Sequence, residues 1–196
     1  MKVKAKKSLG QNFLIDEKII CKIAECAQIK GKEILEVGPG TGNLTEKIIQ
    51  FQPKKIILIE KDNNLIENLK KKFNYNISFL NEDILKVDEK VLSNDKLIVF
   101  GNLPYNISTE ILTKWILNIK NHFWFDKLVL MFQKEVANRI ISNYNSADYG
   151  RLSIICSWKL NIKKIMDIKP DSFYPKPKVD SSLLVFTPKV NYDRIC

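Results

Sequence analysis

Two short segments of this sequence carry residue types whose spacing could do chemistry. In the first, the β-rich run Glu33-Ile34-Leu35-Glu36-Val37 meets Gly38-Pro39-Gly40-Thr41-Gly42, so three glycines stand where a strand ends and a helix opens. Glycine tolerates positive φ and lets a ligand approach bare backbone, while the helix N-terminus offers unpaired N–H groups. In the second, another apolar run ends in Gly101-Asn102-Leu103-Pro104-Tyr105. An Asn side-chain oxygen and the carbonyl at Pro104 can accept the two hydrogens of an exocyclic aromatic amine, freeing a lone pair otherwise delocalised into the ring. Tyr105 adds an aromatic face for stacking. Either segment alone could be a strand-ending turn; their occurrence together argues for a site.

The glycine spacing bears on which cofactor the loop takes. A dinucleotide loop of the G-x-G-x-x-G type wants its third glycine at residue 43, which here is Asn43, and the third glycine is Gly42. The G-x-G-x-G form resembles motif I of S-adenosylmethionine-dependent methyltransferases. Asn102 to Tyr105 resembles the (Asn/Asp)-(Pro/Leu/Ile)-Pro-(Tyr/Phe) motif of enzymes that methylate exocyclic amines of nucleobases. Such an amine needs no general base of tuned pKa, so a sequence whose only histidine is His122 presents no difficulty. Glu60 ends a second apolar run, where a carboxylate can accept both hydroxyls of a ribose or stand as an ordinary surface acid beside Lys61. Asp83, just past a third run, could accept from the exocyclic amine of the cofactor's adenine. Glu36, Glu60 and Asp83 at one edge would together favour a sulfonium cation.

Six ordered motifs then define a wider resemblance. They are Lys7 to Leu14 (KSLGQNFL), Glu36 to Gly42, Gly101 to Ser108 (GNLPYNIS), Gln133 to Arg139 (QKEVANR), Tyr149 to Ser153 (YGRLS) and Phe173 to Ser181 (FYPKPKVDS). Together they resemble the KsgA (RsmA) family of small-subunit ribosomal RNA adenine N6,N6-dimethyltransferases. The resemblance implies that Gln11, Asn12 and Leu14 cap the S-adenosyl-L-methionine pocket, with Gly38 and Gly40 in its loop, Glu60 at the ribose and Asp83 at the adenine. It implies that Asn102 borders both cofactor and target base, with Pro104 and Tyr105 in the catalytic tetrapeptide and Phe173 stacking on the flipped adenine opposite Tyr105. Read from residue types alone, Phe173 to Pro177 is a stiff, basic, aromatic loop, or else a hairpin connection whose aromatics pack on the sheet. The implied substrate is a pair of adjacent adenines near the 3′ end of small-subunit RNA, free or in an immature small subunit, each receiving two methyl groups. Rival readings are the related Erm family acting on large-subunit RNA and a nucleic-acid-binding transcription factor on the same fold. An NAD-dependent oxidoreductase is disfavoured by Asn43 and by the lack of a proton donor such as histidine.

The elements that must position these residues alternate. A helix with Ile19, Ile20, Ile23, Ala24 and Ala27 on one face follows Asp16, a suitable N-cap. Strands at 33–38, 55–60, 77–80, 96–101 and 127–132 are separated by helices carrying Leu44, Ile48 and Phe51, then Leu65, Ile66, Leu69 and Phe73, then Ile111, Leu112, Trp115, Ile116 and Ile119. Another helix carries Val136, Ala137, Ile140 and Ile141. Continuous apolar strands at this rhythm predict a parallel sheet covered on both faces. Leu152 to Trp158 and Ser182 to Phe186 read as two further strands pairing antiparallel at the edge. The expected fold is α/β, a Rossmann-like class I methyltransferase with a seven-stranded, mostly parallel sheet. Residues 1–15 form a basic segment capping the cofactor site, residues 16–190 form the methyltransferase domain, and the family's smaller C-terminal helical domain is expected to be absent.

Composition agrees with this reading. The 196 residues include 32 Lys+Arg against 22 Asp+Glu, a net +10 that favours a polyanionic partner or a simply Lys-rich solvated surface. Lys2, Lys4, Lys6, Lys7, Lys163, Lys164, Lys176 and Lys178 are candidate phosphate contacts. Cys21, Cys26, Cys156 and Cys196 form no C-x-x-C pair, so no metal site is expected. No run reaches the roughly 18 uncharged apolar residues of a membrane span, and the expectation is a cytoplasmic monomer.

Overall fold

The computed structural model describes residues 5–6, 9–120 and 122–191. Lys2, Lys4, Lys7 and Cys196 lie outside them.

Nine strands and six α-helices follow one another along the described chain. The strands are β1 (Phe13–Leu14), β2 (Glu33–Val37), β3 (Lys55–Ile59), β4 (Ile77–Leu80), β5 (Leu97–Gly101), β6 (Phe125–Gln133), β7 (Leu160–Ile168), β8 (Phe173–Tyr174) and β9 (Ser181–Pro188). The helices are α1 (Glu17–Glu25), α2 (Asn43–Gln50), α3 (Asn63–Lys72), α4 (Ser108–Leu117), α5 (Lys134–Ile141) and α6 (Arg151–Lys159). Seven strands form one sheet in the order β4-β3-β2-β5-β6-β9-β7, and β1 pairs with β8 in a separate two-stranded ribbon. Strands β2 to β6 pair in parallel, whereas β9 runs antiparallel to both β6 and β7. This is the expected mostly parallel seven-stranded sheet with an antiparallel edge hairpin.

The continuous apolar strands are explained by two cores, one on each face. Leu35, Val37, Ile57, Ile59 and Val99 enter a cluster with Ile111, Leu112 and Trp115 of α4, Ala137 of α5 and Cys156 of α6. Their alternates Ile34, Ile56, Leu58, Ile98 and Phe100 enter a second cluster with Ile20 and Ile23 of α1, Leu44 and Ile48 of α2 and Leu69 of α3. Both faces are dry, so both parities of each strand are apolar. Asp16 caps α1 as expected, its side chain accepting from the N–H groups of Lys18 and Ile19.

One expected strand is a helix. Leu152 to Trp158 lies within α6, which Gly150 and Ser153 initiate: the Gly150 N–H donates to Ser153 Oγ at 2.9 Å, and that hydroxyl donates to the Gly150 carbonyl at 2.8 Å. The run Leu-Ser-Ile-Ile-Cys-Ser-Trp looks strand-like because it is β-branched and aromatic, but Ser153, Cys156 and Lys159 are buried at helical spacing. The edge strand comes next, in β7, where exposed Asn161, Lys163, Ile165 and Asp167 flank more covered residues. Among the described residues no helix is long and apolar enough to cross a membrane.

Candidate active site

Strand order reverses between β2 and β5, because the chain runs outward through β3 and β4 and returns through β5 and β6. At such a switch point the loops after the two strands diverge and leave a crevice at their carboxyl ends. A cavity of about 220 Å³ opens there. Its lining includes Gln11, Asn12, Gly38, Gly40, Glu60, Asp83, Asn102, Pro104 and Tyr105, residues from five widely separated parts of the chain. Nine of the eleven predicted site residues thus meet in one place.

The floor is the glycine loop. Gly38, Gly40 and Gly42 take φ of +70°, +58° and +79°, values that L side chains rarely adopt. A Cβ on Gly38 would lie 3.2 Å from the Asn102 carbonyl oxygen, and one on Gly40 would lie 2.7 Å from Phe13 Cδ1. Behind Gly40, the Glu60 carboxylate accepts from its N–H at 3.4 Å and from the Asp62 N–H at 3.0 Å, which orients this buried acid toward the loop. Burial raises the Glu60 pKa, held back by these two N–H donors. On the neighbouring wall Asp83 accepts from the Leu85 N–H at 3.1 Å and pairs with Lys61 at 2.8 Å. The Lys61 hydrogen bond keeps the Asp83 carboxyl below its ordinary range.

The roof is the segment before α1. Asn102 Nδ2 donates to the Asn12 carbonyl at 2.8 Å, tying the loop after β5 to this segment and leaving Oδ1 as the acceptor end of the amide. Gln11 Nε2 donates to Asp62 at 3.1 Å, and Lys6 Nζ reaches the other Asp62 oxygen at 2.8 Å. Lys6, a candidate phosphate contact, is therefore paired with a buried acid next to the lining residue Lys61. Phe13, between the predicted Asn12 and Leu14, also lines the cavity, and its ring covers Gly40. Leu14 does not reach the main cavity. Successive strand residues point to opposite sides, so with Phe13 over the loop, Leu14 turns into the second core, and its carbonyl accepts from Asn43 Nδ2 at 2.8 Å.

Tyr105 is fixed by its hydroxyl, 2.5 Å from Ser181 Oγ at the start of β9. Phe173 is not brought to the cavity. Its register with Leu14 in the β1–β8 ribbon turns the ring into the second core, where it is 1% exposed. The hairpin alternative for this loop, with an aromatic packed inward, describes Phe173 better than a free stacking wall does. Of the candidate phosphate contacts, Lys164 pairs with Asp167 at 2.7 Å and Lys176 with Asp171 at 2.6 Å, whereas Lys163 and Lys178 are exposed. Among the described residues no cluster of three His, Cys, Asp or Glu could hold a metal.

A family model described as ribosomal RNA adenine dimethylase matches residues 2–193. The chain belongs to that family. Ribosomal RNA small subunit methyltransferase A of Pelagibacter ubique (strain HTCC1062) is 64% identical over 195 residues, covering 100% of this chain and 74% of that protein. The protein of the same description from Wolbachia pipientis subsp. Culex pipiens is 43% identical, over 95% of this chain and 71% of its own length. Among solved structures, a dimethyladenosine transferase from Plasmodium falciparum superposes with TM-score 0.80 at 33% identity, covering 90% of this chain and 63% of that one. The 23S rRNA methyltransferase ErmE superposes with TM-score 0.79 at 26% identity, covering 92% and 71% respectively.

In this dimethylase the three acids of the sheet edge do not act alike. Glu36 is buried outside the main cavity, in a smaller recess under the glycine loop, and accepts from Thr45 Oγ1 at 2.7 Å. Burial pushes its pKa up to about 7, opposed by the Thr45 hydroxyl and reinforced by Glu60. The ordinary value near 4.5 holds in the unfolded chain, so the folded state binds the extra proton between about pH 4.5 and 7. Stability contributed by this group is therefore full below the unfolded value and is lost as pH rises to 7, by on the order of 3 kcal/mol. Glu36→Gln, which keeps an acceptor for Thr45, should melt above the wild type at pH 8, and the gap should close toward pH 5. Thermal melts of the pair across that range check the sign.

Proposed function

We propose that the cavity binds S-adenosyl-L-methionine and that the protein dimethylates N6 of two adjacent adenosines in a 3′-terminal hairpin of small-subunit ribosomal RNA, in the cytoplasm, during ribosome biogenesis. The orientation of Asn102 carries this reading. With Nδ2 committed to Asn12, the oxygen is the end left to receive an amine hydrogen beside the ring of Tyr105. The greater identity to proteins described as small subunit methyltransferase A, 64% against 26% for ErmE, favours the small-subunit substrate over the large.

The residues present fit the cofactor. Gly38 and Gly40 keep open the space a Cβ would fill. Glu60 would accept from the ribose hydroxyls, and Asp83, kept ionised by Lys61, would accept from the adenine amine. Gln11 and Asn12 would close the pocket from above. When bound, S-adenosylmethionine supplies an electrophilic methyl group on a sulfonium.

The chain's own work is to bind and reshape the target amine. Asn102 Oδ1 and the Pro104 carbonyl draw its two hydrogens out of the base plane, which localises the nitrogen lone pair. Tyr105, locked through Ser181, gives the flipped base a fixed face. The methylated amine releases its proton to solvent, so no side-chain base is needed. A second methylation uses the same groups with one acceptor fewer.

The test is to incubate the protein with labelled S-adenosylmethionine and either undermethylated small subunits or large-subunit RNA, then identify nucleosides by mass spectrometry. N6,N6-dimethyladenosine from the small-subunit substrate alone is the expected result. Product from large-subunit RNA alone would move the assignment to the resistance type, and no product from either would overturn the catalytic reading.

A further inference from the structure

We infer that Lys114, through Glu89, is a positioning residue that sets the Asp83–Leu85 wall of the cavity and so governs cofactor affinity; the inference rests on the cavity being the S-adenosylmethionine site. Lys114 does not line the cavity. It projects from α4, with its side chain 20% exposed, beneath the turn that follows β4. Its ammonium donates to the Ile84 carbonyl at 2.9 Å, to the Val87 carbonyl, and to Glu89 Oε1 at 2.8 Å. An ammonium has three donors, and all three are spent between Ile84 and Glu89, two on backbone carbonyls and one on a carboxylate. Glu89, 5% exposed, also accepts from Trp115 Nε1 at 2.7 Å, so two successive residues of α4 grip the same carboxylate.

The gripped stretch begins in the cavity wall, at Ile84. Asp83, Ile84 and Leu85 all line the cavity, and Asp83 caps the short turn over Ile84–Lys86. That turn is a single 3-10 turn, too short to hold its own position. Without Lys114 the Ile84 carbonyl would keep only the Val87 N–H at 3.3 Å, and the Val87 carbonyl would lose the ammonium that ties it to the same point. The same helix reaches the opposite wall: Ser108 Oγ at its first turn donates to the Tyr105 carbonyl at 3.2 Å, and the Pro104 carbonyl accepts from the Ile107 N–H at 3.1 Å. One rigid helix therefore spaces the adenine-side wall from the catalytic tetrapeptide, with Lys114 as its tie to the first and Ser108 as its tie to the second.

The two ties make separable contributions, which gives the test. Lys114→Met keeps the alkyl stem and removes all three donors, but strands a buried carboxylate and could unfold the chain. The double variant Lys114→Met/Glu89→Gln leaves no unpaired charge and keeps an acceptor for Trp115. In the folded double variant, calorimetric affinity for S-adenosylhomocysteine and KM for S-adenosylmethionine should each worsen about tenfold. At saturating cofactor kcat should stay within about twofold, with KM for RNA unchanged, and Lys114→Arg should recover part of the affinity. Wild-type-like cofactor affinity with only a lowered melting temperature would reduce Lys114 to a stabilising role and overturn the inference, as would a fall in kcat at unchanged cofactor KM. Failure of the unaltered protein to bind S-adenosylhomocysteine would overturn the cofactor reading and this inference with it, and is recognised because the wild type fails too.

Discussion

Asn102→Ala should fold, bind S-adenosylmethionine, and transfer essentially no methyl group. On the proposed mechanism the variant loses the acceptor that localises the amine lone pair, an interaction made in the transition state and not in cofactor binding. Removing one such preorganised polar group typically lowers kcat by about 10²-fold or more. It also loses the Nδ2 hydrogen bond to the Asn12 carbonyl, which is a single bond to the roof of the cavity. A hydrogen bond of that kind contributes about 1 kcal/mol, so cofactor affinity should weaken by no more than about tenfold. Asn102→Asp separates the two roles: it retains acceptor oxygens but sets a carboxylate against the Asn12 carbonyl, so it should lose more cofactor affinity than Asn102→Ala. Single-turnover kinetics with saturating cofactor measure the first loss and calorimetry the second. Turnover near the wild-type rate in Asn102→Ala would remove Asn102 from the mechanism.

The second large effect is expected at Gly40. Alanine there must hold φ near +58° and place its Cβ 2.7 Å from Phe13 Cδ1 and 3.1 Å from Cε1. The positive φ alone costs about 1–2 kcal/mol. The contact adds a displacement of Phe13, which is 6% exposed and forms half of the β1 strand that roofs the cavity. Gly31 provides an internal control, because its φ is +70° but a Cβ would meet nothing within 4 Å. Gly31→Ala should therefore lower the melting temperature by several degrees and leave cofactor binding intact. Gly40→Ala should lower it further and weaken S-adenosylhomocysteine binding at least tenfold. Equal behaviour of the two variants would show that Phe13 yields freely and that the roof is not held by this contact.

The glycine loop, Glu60, Asp83 and the Asn102 tetrapeptide were legible in the sequence because each sits within a few residues of a strand end. The parallel strands were legible because burial on both faces leaves no polar parity to confuse them. What escaped notice depended on distant partners. The edge strand β7 carries Lys163, Lys164 and Asp167, which resemble a loop until Lys164 of the same strand and Lys134 of α5 are seen to share Asp167. The helix at Arg151–Lys159 has strand-like residues, and tertiary packing of Ser153 and Cys156 overrode that preference. Phe13 and Phe173 each lie in a two-residue ribbon, too short to leave a periodic signal, so which way their rings point could be settled only by pairing in space. The same holds for Lys6 and Lys114, whose partners lie 56 residues downstream and 25 residues upstream respectively.

The β1–β8 ribbon sets Phe13 opposite Tyr174, and the Tyr105–Ser181 contact spans 76 residues, so both join segments far apart in the sequence. During synthesis the glycine loop, the acids and the tetrapeptide all leave the ribosome well before Phe173 does. A nascent chain therefore carries the cavity-lining residues up to Tyr105 while its roof strand still lacks a partner and Tyr105 still lacks Ser181. Contacts of such long sequence separation form late, since loop closure must precede them. The order of emergence thus leaves β1 without its partner strand until β8 arrives, and Tyr105 without its hydroxyl partner until β9 does.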